Sequence, residues 1–200
     1  MDRELKDFDF SKRAASYDEG FEGKMSRRFY ELLQKAVVLV DGMSILDVGC
    51  GTGALLNRLC ADRNIDAHGI DADSNMIDVA SSKFPAGAFQ KAPSENIPYP
   101  DESFDVMTAC MAYHHFSDKA GFSREAARVL KPGGCLYIAD PNFPFVIRKG
   151  INGIARLFRV VGEFLTAQEA ADRFSVYGFQ FSETFYSGYA QVVKLMRNNL

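Results

Sequence analysis

Three glycines between two apolar stretches have the spacing of a ligand-binding turn. Residues 45–48 form a short, mostly apolar run, Gly49, Gly51 and Gly53 follow at alternate positions, and 54–56 resume an apolar, helix-like pattern. This order predicts a strand, a tight turn and the start of a helix. Glycines at such a junction let a ligand lie against bare backbone, so the stretch predicts a binding loop.

An acidic residue further along narrows the choice of ligand. A second predicted strand is followed directly by Asp71, about where a carboxylate accepts hydrogen bonds from ribose hydroxyls. A dinucleotide is one candidate, but its G-x-G-x-x-G fingerprint differs from the G-x-G-x-G spacing found here. A P-loop is excluded, because no Gly-Lys-Ser/Thr follows the glycines. These residues alone leave a dinucleotide, a different ligand and a plain tight turn open.

Strands and helices alternate along most of the chain. Strands are predicted at 44–48, 66–70, 87–92, 103–111, 134–140, 179–186 and 190–196, and helices at 54–62, 74–84, 118–130 and 166–177. This alternation predicts an α/β fold whose parallel sheet carries helices on both faces. The last two strands must pair antiparallel, because the turn at 187–188 is too short for a parallel crossover. Ligands of such sheets bind beyond the carboxyl ends of the strands.

The helix ends carry further signals. Ser74 is the predicted N-cap of its helix, and Thr166 with Glu169 has the spacing of a capping box. Residues 11–40 are rich in helix formers, with a predicted break near Gly20 and Gly23.

The length and charge of the chain limit the classes of protein to which it can belong. Two hundred residues fit one domain with its own core. The net charge of −3 argues against a nucleic-acid partner. The charged N-terminus lacks an apolar signal core, and no apolar run approaches the roughly 18 residues of a membrane span. The four scattered cysteines form no C-x-x-C pair, so we predict reduced thiols, no metal site and a cytoplasmic location.

Four stretches in series resemble the class I S-adenosylmethionine-dependent methyltransferases. They are "ILDVGCGTG", "GIDADSNMIDVA", "NIPYPDESFDVMTACMAYHHF" and "EAARVLKPGGCLYIAD". The resemblance is to the small-molecule branch that contains the ubiquinone/menaquinone biosynthesis methyltransferases. It covers about residues 8–140 well and extends less specifically to the final strands.

The resemblance implies both a fold and a reaction. The fold is a Rossmann-like, doubly wound seven-stranded sheet, mostly parallel with the last strand antiparallel. The cofactor is S-adenosyl-L-methionine, and the reaction is methyl transfer to a small hydrophobic or aromatic acceptor. A non-catalytic cofactor-binding or interaction protein on the same fold is the alternative. A nicotinamide oxidoreductase is a third hypothesis, which the glycine spacing disfavours.

The resemblance also assigns site residues. The cofactor-binding residues that it implies are Tyr17, Asp47, Gly49, Cys50, Gly51, Asp71, Ala72, Met76, Ser94, Glu95, Cys110 and Met111. Among these, Asp47 matches the loop for the methionine part, Asp71 the ribose acceptor and Met76 the adenine contact. The stretch from Phe10 to Asp18 matches the family's N-terminal lid motif F-x-x-x-A-x-x-Y-D, with Tyr17 near the cofactor. His115 is the candidate catalytic residue, as a contact or a base, and a hydrogen-bonded turn histidine is the alternative.

One position departs from the family pattern. Where the family has "GDAExLPF", this chain reads "APSENIPY", which puts Pro93 at the position of an aspartate that accepts from the adenine amino group. Proline has neither a side-chain acceptor nor an N–H. The Ser94 hydroxyl or Glu95 could replace that acceptor. Losing one such hydrogen bond costs about 0.5–1.5 kcal/mol.

We predict a single methyltransferase domain over residues 1–200, divided into four segments. They are a helical N-terminal lid (1–43), the cofactor-binding core (44–140), a cover insertion (141–165) and a closing helix with an antiparallel hairpin (166–200). In the insertion, Ile147, Ile151, Ile154, Phe158, Val161 and Leu165 form an apolar stripe, and Arg148, Lys149, Arg156 and Arg159 lie largely off it.

This pattern predicts a helix that packs over the substrate pocket with its basic side chains in solvent. The alternative is transient contact of 144–165 with anionic lipid. The oligomeric state stays open.

Overall fold

The computed structural model describes residues 17–157 and 162–199. Within them, the strands are β1 (Ser44–Val48), β2 (Asp66–Asp71), β3 (Ala88–Lys91), β4 (Phe104–Cys110), β5 (Leu130–Pro141), β6 (Phe179–Ser187) and β7 (Ala190–Arg197). The helices are α1 (Phe21–Ala36), α2 (Ala54–Cys60), α3 (Ser74–Lys83), α4 (Lys119–Val129), α5 (Phe145–Leu157) and α6 (Ala167–Ser175). A short 3-10 helix covers Tyr113–His115.

The strands form one seven-stranded sheet in the order β3-β2-β1-β4-β5-β7-β6. Neighbours from β3 to β5 pair in parallel, and β7 pairs antiparallel with both β5 and β6. The predicted fold class, including the antiparallel last strand, is confirmed. The chain order of the strands reverses at β1, which lies between β2 and β4. This switch point is where open α/β sheets bind their ligands.

Apolar side chains cover the sheet on both faces. On one face, Phe122 of α4 and Phe174 of α6 are fully buried. On the other, Phe29 and Leu33 of α1 and Leu56 of α2 are fully buried. Each such side chain stabilises the fold by about 1.5–3 kcal/mol. The two cores hold the carboxyl ends of the central strands in fixed positions.

Several local predictions need correction. The N-cap of α3 is Asp73, not Ser74, because the Asp73 carboxylate accepts from the Asn75 N–H at 2.8 Å. Gly23 lies inside α1 rather than at a break, whereas Gly20 is the N-cap. Strand β5 begins at residue 130, since its first residue pairs with β4 before a register shift. The capping box at the start of α6 is confirmed.

The cover insertion differs from its predicted amphipathic pattern. Ile147 belongs to the predicted apolar stripe but is 53% exposed, and Phe145 and Val146 are exposed beside it. Arg148, predicted to face solvent, is only 7% exposed. The predictions for Ile147 and Arg148 are therefore wrong. Arg148 is buried because it forms an ion pair with Glu169 at the start of α6.

Part of the predicted stripe cannot be placed. Phe158, Arg159 and Val161 lie outside the described residues, as do the side chains of Ile154 and Arg156. The division of the chain into lid, core, cover and closing hairpin stays a prediction. Within the described residues, no helix has the length and apolar character needed to cross a membrane.

Candidate cofactor-binding site

A cavity of about 720 Å³ opens at the carboxyl ends of β1, β2 and β4. All of the predicted cofactor residues line it, together with the candidate catalytic residue: Tyr17, Asp47, Gly49, Cys50, Gly51, Asp71, Ala72, Met76, Ser94, Glu95, Cys110, Met111 and His115. Residues that are far apart in sequence therefore surround one space. Their individual roles stay predictions.

The glycine turn after β1 forms one wall of the cavity. Gly49 has φ +76°, and a Cβ there would lie 2.5 Å from the Ala112 Cβ, so this glycine is needed for packing. Gly51 has φ +50°, and no atom lies within 4 Å of its Cβ position. Because Gly51 also lines the cavity, its missing side chain leaves space for a ligand.

The N–H groups of this turn are mostly used inside the protein. Gly49 and Cys50 donate to the Ile70 carbonyl at 2.8 and 3.0 Å, and Gly53 donates to Cys50 at 3.0 Å. The Gly51 N–H donates to Asp71 at 2.9 Å. A glycine turn that binds a pyrophosphate needs such donors free. The turn therefore suits a ligand that needs space rather than backbone donors, which disfavours the dinucleotide hypothesis.

Asp71 ends β2 and is fixed by the backbone on both sides. Its Oδ2 accepts from the Gly51 N–H and its Oδ1 from the Asp73 N–H, both at 2.9 Å. Burial raises the pKa of this carboxyl above its ordinary value. Each carboxylate oxygen has a second lone-pair site. Asp71 can therefore accept hydrogen bonds from two neighbouring hydroxyls, as a ribose presents.

Asp47 is the acid at the carboxyl end of β1. It is 2% exposed, and Thr108 donates to its Oδ1 at 2.6 Å. Burial, with a smaller contribution from the charge of Asp71, raises the pKa of Asp47 to about 7. A buried carboxyl of this kind favours a cationic ligand group, because a nearby positive charge stabilises the ionised form. The amino group of the predicted cofactor fits this requirement.

Ligand binding at Asp47 is expected to release a proton. The folded-state pKa of about 7 lies above the ordinary 3.8, so this group stabilises the fold fully below about pH 4 and loses that contribution as the pH rises through about 7. A cationic ligand lowers this pKa, so S-adenosylhomocysteine should displace close to one proton at about pH 6 and almost none at about pH 8. Calorimetry in two buffers of different ionisation enthalpy measures this release. Asp47→Asn should abolish it, and equal release at both pH values would contradict it.

Apolar and small polar groups form the wall opposite the turn. Met76 of α3 is 3% exposed, and Pro93 lines the cavity at the position of the family aspartate. Ser94 donates its hydroxyl hydrogen to Glu95 at 3.1 Å. The Ser94 oxygen and the Glu95 carboxylate thus remain possible acceptors for an adenine amino group.

Pro93→Asp is expected to strengthen binding of S-adenosylhomocysteine by about threefold to tenfold, because it adds one acceptor worth about 0.5–1.5 kcal/mol. Titration calorimetry on the variant and the wild type measures the change. The control is Pro100→Asp, which changes a proline outside the cavity lining. Pro141→Asp would not serve as a control, because Pro141 is buried in β5. Weaker binding by the Pro93 variant would mean that another group already fills this place.

The end of β4 brings a thiol and a strained residue to the cavity. The Cys110 thiol is buried, and burial raises its pKa well above the ordinary value, so the thiol stays protonated. Met111 has φ +53°, an uncommon conformation for a residue with a side chain. Its N–H donates to the Ala139 carbonyl at 2.8 Å. Such strain is often found at functional sites.

Two adjacent histidines follow this strand with different surroundings. Burial and the neighbouring His114 lower the pKa of His115 to about 4, so His115 is neutral near pH 7. His114 lies 2.7 Å from Asp140 through its Nδ1 and stacks on Phe164 with ring centroids 4.6 Å apart. His114 is thus hydrogen-bonded within the turn, and both interpretations of His115, a contact or base and a hydrogen-bonded turn histidine, stay predictions. His115 is the one that lines the cavity.

Sequence reasoning missed several lining residues. Phe116 and Ser117 follow His115 directly, so their position after β4 was a usable signal. Thr52 lies within the glycine turn. Tyr30 comes from α1, and nothing in its local sequence separates it from the other aromatic residues of that helix. Burial raises the pKa of Tyr30 well above its ordinary value, so its hydroxyl stays protonated.

Comparison with known proteins gives an independent view of the same region. A family model described as a methyltransferase domain matches residues 46–138. The chain is 38% identical over 100 residues to the demethylmenaquinone methyltransferase of Chlorobaculum parvum, covering 50% of this chain and 42% of that protein. It is 30% identical over 151 residues to the ubiquinone/menaquinone biosynthesis C-methyltransferase UbiE of Geotalea daltonii, covering 71% and 62%.

A solved structure shows the same fold. A SAM-dependent methyltransferase from Aquifex aeolicus has a TM-score of 0.72 and 23% identity, with 93% of this chain and 97% of that chain covered. The chain spans less than two thirds of the length of the two curated relatives. These matches confirm the family resemblance drawn from the four motifs.

Proposed function

We propose that this chain is a class I S-adenosylmethionine-dependent methyltransferase that transfers a methyl group to a small hydrophobic or aromatic acceptor. The observation that carries the proposal is the cavity at the switch point. There, one buried acid suits an amino group, a second acid suits ribose hydroxyls, and open space follows Gly51. The curated relatives are named for quinone methylation, which supports an aromatic acceptor.

Each part of the cavity has a proposed binding role. Asp71 accepts from the ribose hydroxyls, Asp47 binds the amino group, and Met76 packs against the adenine. The bound cofactor supplies a methyl group on a positively charged sulfur. Cys110 ends β4, Met111 follows it, and both line the cavity. Their proposed role is to contact the cofactor near the acceptor.

The protein contributes mainly by holding the acceptor in line. Fixed geometry of this kind supplies up to about 7–11 kcal/mol of a reaction barrier. The Cys110 and Tyr30 groups stay protonated, so they add no negative charge near the acceptor. A neutral His115 accepts a hydrogen bond from an acceptor O–H, and it acts as a base only if that proton must leave.

His115→Ala is expected to lower the turnover of a hydroxyl-bearing acceptor by about 10²-fold or more if His115 takes its proton. Because its pKa is about 4, the pH–rate profile between pH 5 and 8 should show no limb from His115. Steady-state kinetics at several pH values measures both effects. His68→Gln, on β2 outside the cavity lining, is the control. An unchanged kcat in His115→Ala would mean that His115 has only a structural role.

Product analysis tests the proposed activity itself. The wild-type chain is incubated with labelled S-adenosylmethionine and a panel containing a demethylmenaquinol, simple hydroquinones, phenols and amines. Transfer of label to an aromatic acceptor is the expected result. Binding of S-adenosylhomocysteine without transfer to any acceptor would favour the non-catalytic alternative that Pro93 motivates.

Other parts of the proposal rest on less specific features. A cytoplasmic location, the absence of a nucleic-acid partner and lipid contact by residues 144–165 stay predictions. The exposed Phe145, Val146 and Ile147 support the lipid contact. Co-sedimentation with anionic vesicles at low and high salt tests it, because salt weakens charge-dependent attachment.

A further inference from the structure

The segment before α1 reaches the cavity although it belongs to no strand of the sheet. Tyr17 lines the cavity and begins the short helical turn at 17–19. The backbone of this turn continues to Gly20, whose N–H donates to the Tyr17 carbonyl at 3.1 Å. Other contacts must fix this turn to the rest of the protein.

Asp18 connects this turn to two separate elements. Its Oδ1 accepts from the Thr52 hydroxyl at 2.8 Å, and Thr52 belongs to the glycine turn that lines the cavity. Its Oδ2 forms an ion pair with Lys83 at 2.6 Å, and Lys83 ends α3. One carboxylate therefore links the Tyr17 segment to the glycine turn and to the helix that follows Asp71.

The charges around Asp18 favour this arrangement. A second cavity of about 300 Å³ lies behind the glycine turn, and it is lined by Asp18, Arg27, Arg58 and Lys83. Asp18 is the one acid among the described residues that line it. Removing this charge would leave the three cations without a lining carboxylate.

Gly23 permits the close approach of the same segment to α1. A Cβ at Gly23 would lie 2.4 Å from the Tyr17 carbonyl oxygen and 2.5 Å from the Asp18 Cα. These are backbone atoms, so a larger residue must push the segment away. An alanine inside a helix otherwise stabilises it by about 0.5–1 kcal/mol relative to glycine.

We propose that Asp18 is a positioning residue that holds Tyr17 against the cofactor cavity, and that Gly23 makes this position possible. The inference rests on the proposed cofactor. The Asp18 carboxylate does not line the cofactor cavity, so it acts through Tyr17 and Thr52. Its loss lets the segment leave the cavity edge, and a bound cofactor then dissociates faster.

Surface plasmon resonance of S-adenosylhomocysteine on the immobilised full chain tests the proposal. Asp18→Asn should raise the dissociation rate by about tenfold, the size expected for losing a charged hydrogen bond. Gly23→Ala should raise it by a similar factor, because its Cβ would displace the backbone of Tyr17 and Asp18. The melting temperature without ligand should change little in Asp18→Asn, because the ion pair is partly exposed. Controls are Asp101→Asn, which breaks an exposed ion pair with Arg128, and Gly150→Ala in α5, where the Cβ position is open.

A double-mutant cycle separates positioning from general structural support. In a Tyr17→Ala background, Asp18→Asn should add little further increase in the dissociation rate, because the residue that it positions is already gone. An equal increase in both backgrounds would overturn the proposal. Unchanged dissociation in both Asp18→Asn and Gly23→Ala would also overturn it.

Hydrogen exchange in the ligand-free protein tests the role of Asp18 independently of the proposed function. The Gly20 amide should exchange faster in Asp18→Asn than in the wild type, and not in Asp101→Asn. If the wild type fails to bind S-adenosylhomocysteine, the proposed function fails, whereas the exchange result still tests the role of Asp18. Unchanged exchange of the Gly20 amide would contradict that role.

Discussion

Asp71→Ala is expected to weaken binding of S-adenosylhomocysteine by about 100-fold or more. Hydrogen bonds to a charged group contribute about 1.5–3 kcal/mol each, and this carboxylate is proposed to accept from two ribose hydroxyls. Its oxygens also accept from Gly51 and Asp73, so the substitution releases one wall of the cavity as well. Titration calorimetry measures the affinity.

Two further variants serve as comparisons for the loss of affinity in Asp71→Ala. Asp66→Ala removes an exposed acid at the start of the same strand, and it should leave the affinity unchanged. Asp71→Asn keeps the size of the side chain but replaces one acceptor oxygen by a donor. It should therefore bind nearly as weakly as the alanine variant. Wild-type affinity in Asp71→Ala would contradict the ribose role.

Gly51→Ala is expected to weaken cofactor binding by tenfold or more while the protein remains folded. Its Cβ would meet no protein atom within 4 Å and would project into space beside the cavity wall. The cost to stability is about 1–2 kcal/mol, because alanine disfavours a positive φ. The affinity for S-adenosylhomocysteine and the melting temperature are the two readouts.

Gly42→Ala is the matched control for this substitution. Gly42 has φ +89° and an equally open Cβ position, but it lies before β1 and outside the cavity lining. Both variants should lose a similar amount of stability, and only Gly51→Ala should lose affinity. Equal affinities in the two variants would show that the space beside Gly51 does not receive the ligand.

The sequence predicts the core of this fold well for a physical reason. Each central strand is a short, mostly apolar run, so the position of its carboxyl end is readable without the structure. Asp47 lies one residue before the end of β1, and Asp71 and Cys110 end β2 and β4. Parallel pairing brings these ends to one edge, which is why every predicted cavity residue lies around one space.

Other features depend on contacts between distant segments that no local pattern encodes. Arg148 carries a charge and lies beside an apolar stripe, so periodicity places it in solvent, whereas the ion pair with Glu169 buries it. The Asp18 carboxylate reaches two elements that lie 34 and 65 residues away in sequence. The Asp73 cap differs from the predicted Ser74 by one residue, because either side chain suits an N-cap.

Parallel titrations of the wild-type chain with S-adenosylhomocysteine and NADH test whether the cavity at the switch point binds the predicted cofactor rather than a dinucleotide. The glycine turn donates its Gly49, Cys50 and Gly51 N–H groups inside the protein, so it offers little to a pyrophosphate. We expect saturable binding of S-adenosylhomocysteine with one site per chain and no binding of NADH at the same concentrations. Binding of NADH without binding of S-adenosylhomocysteine would contradict it.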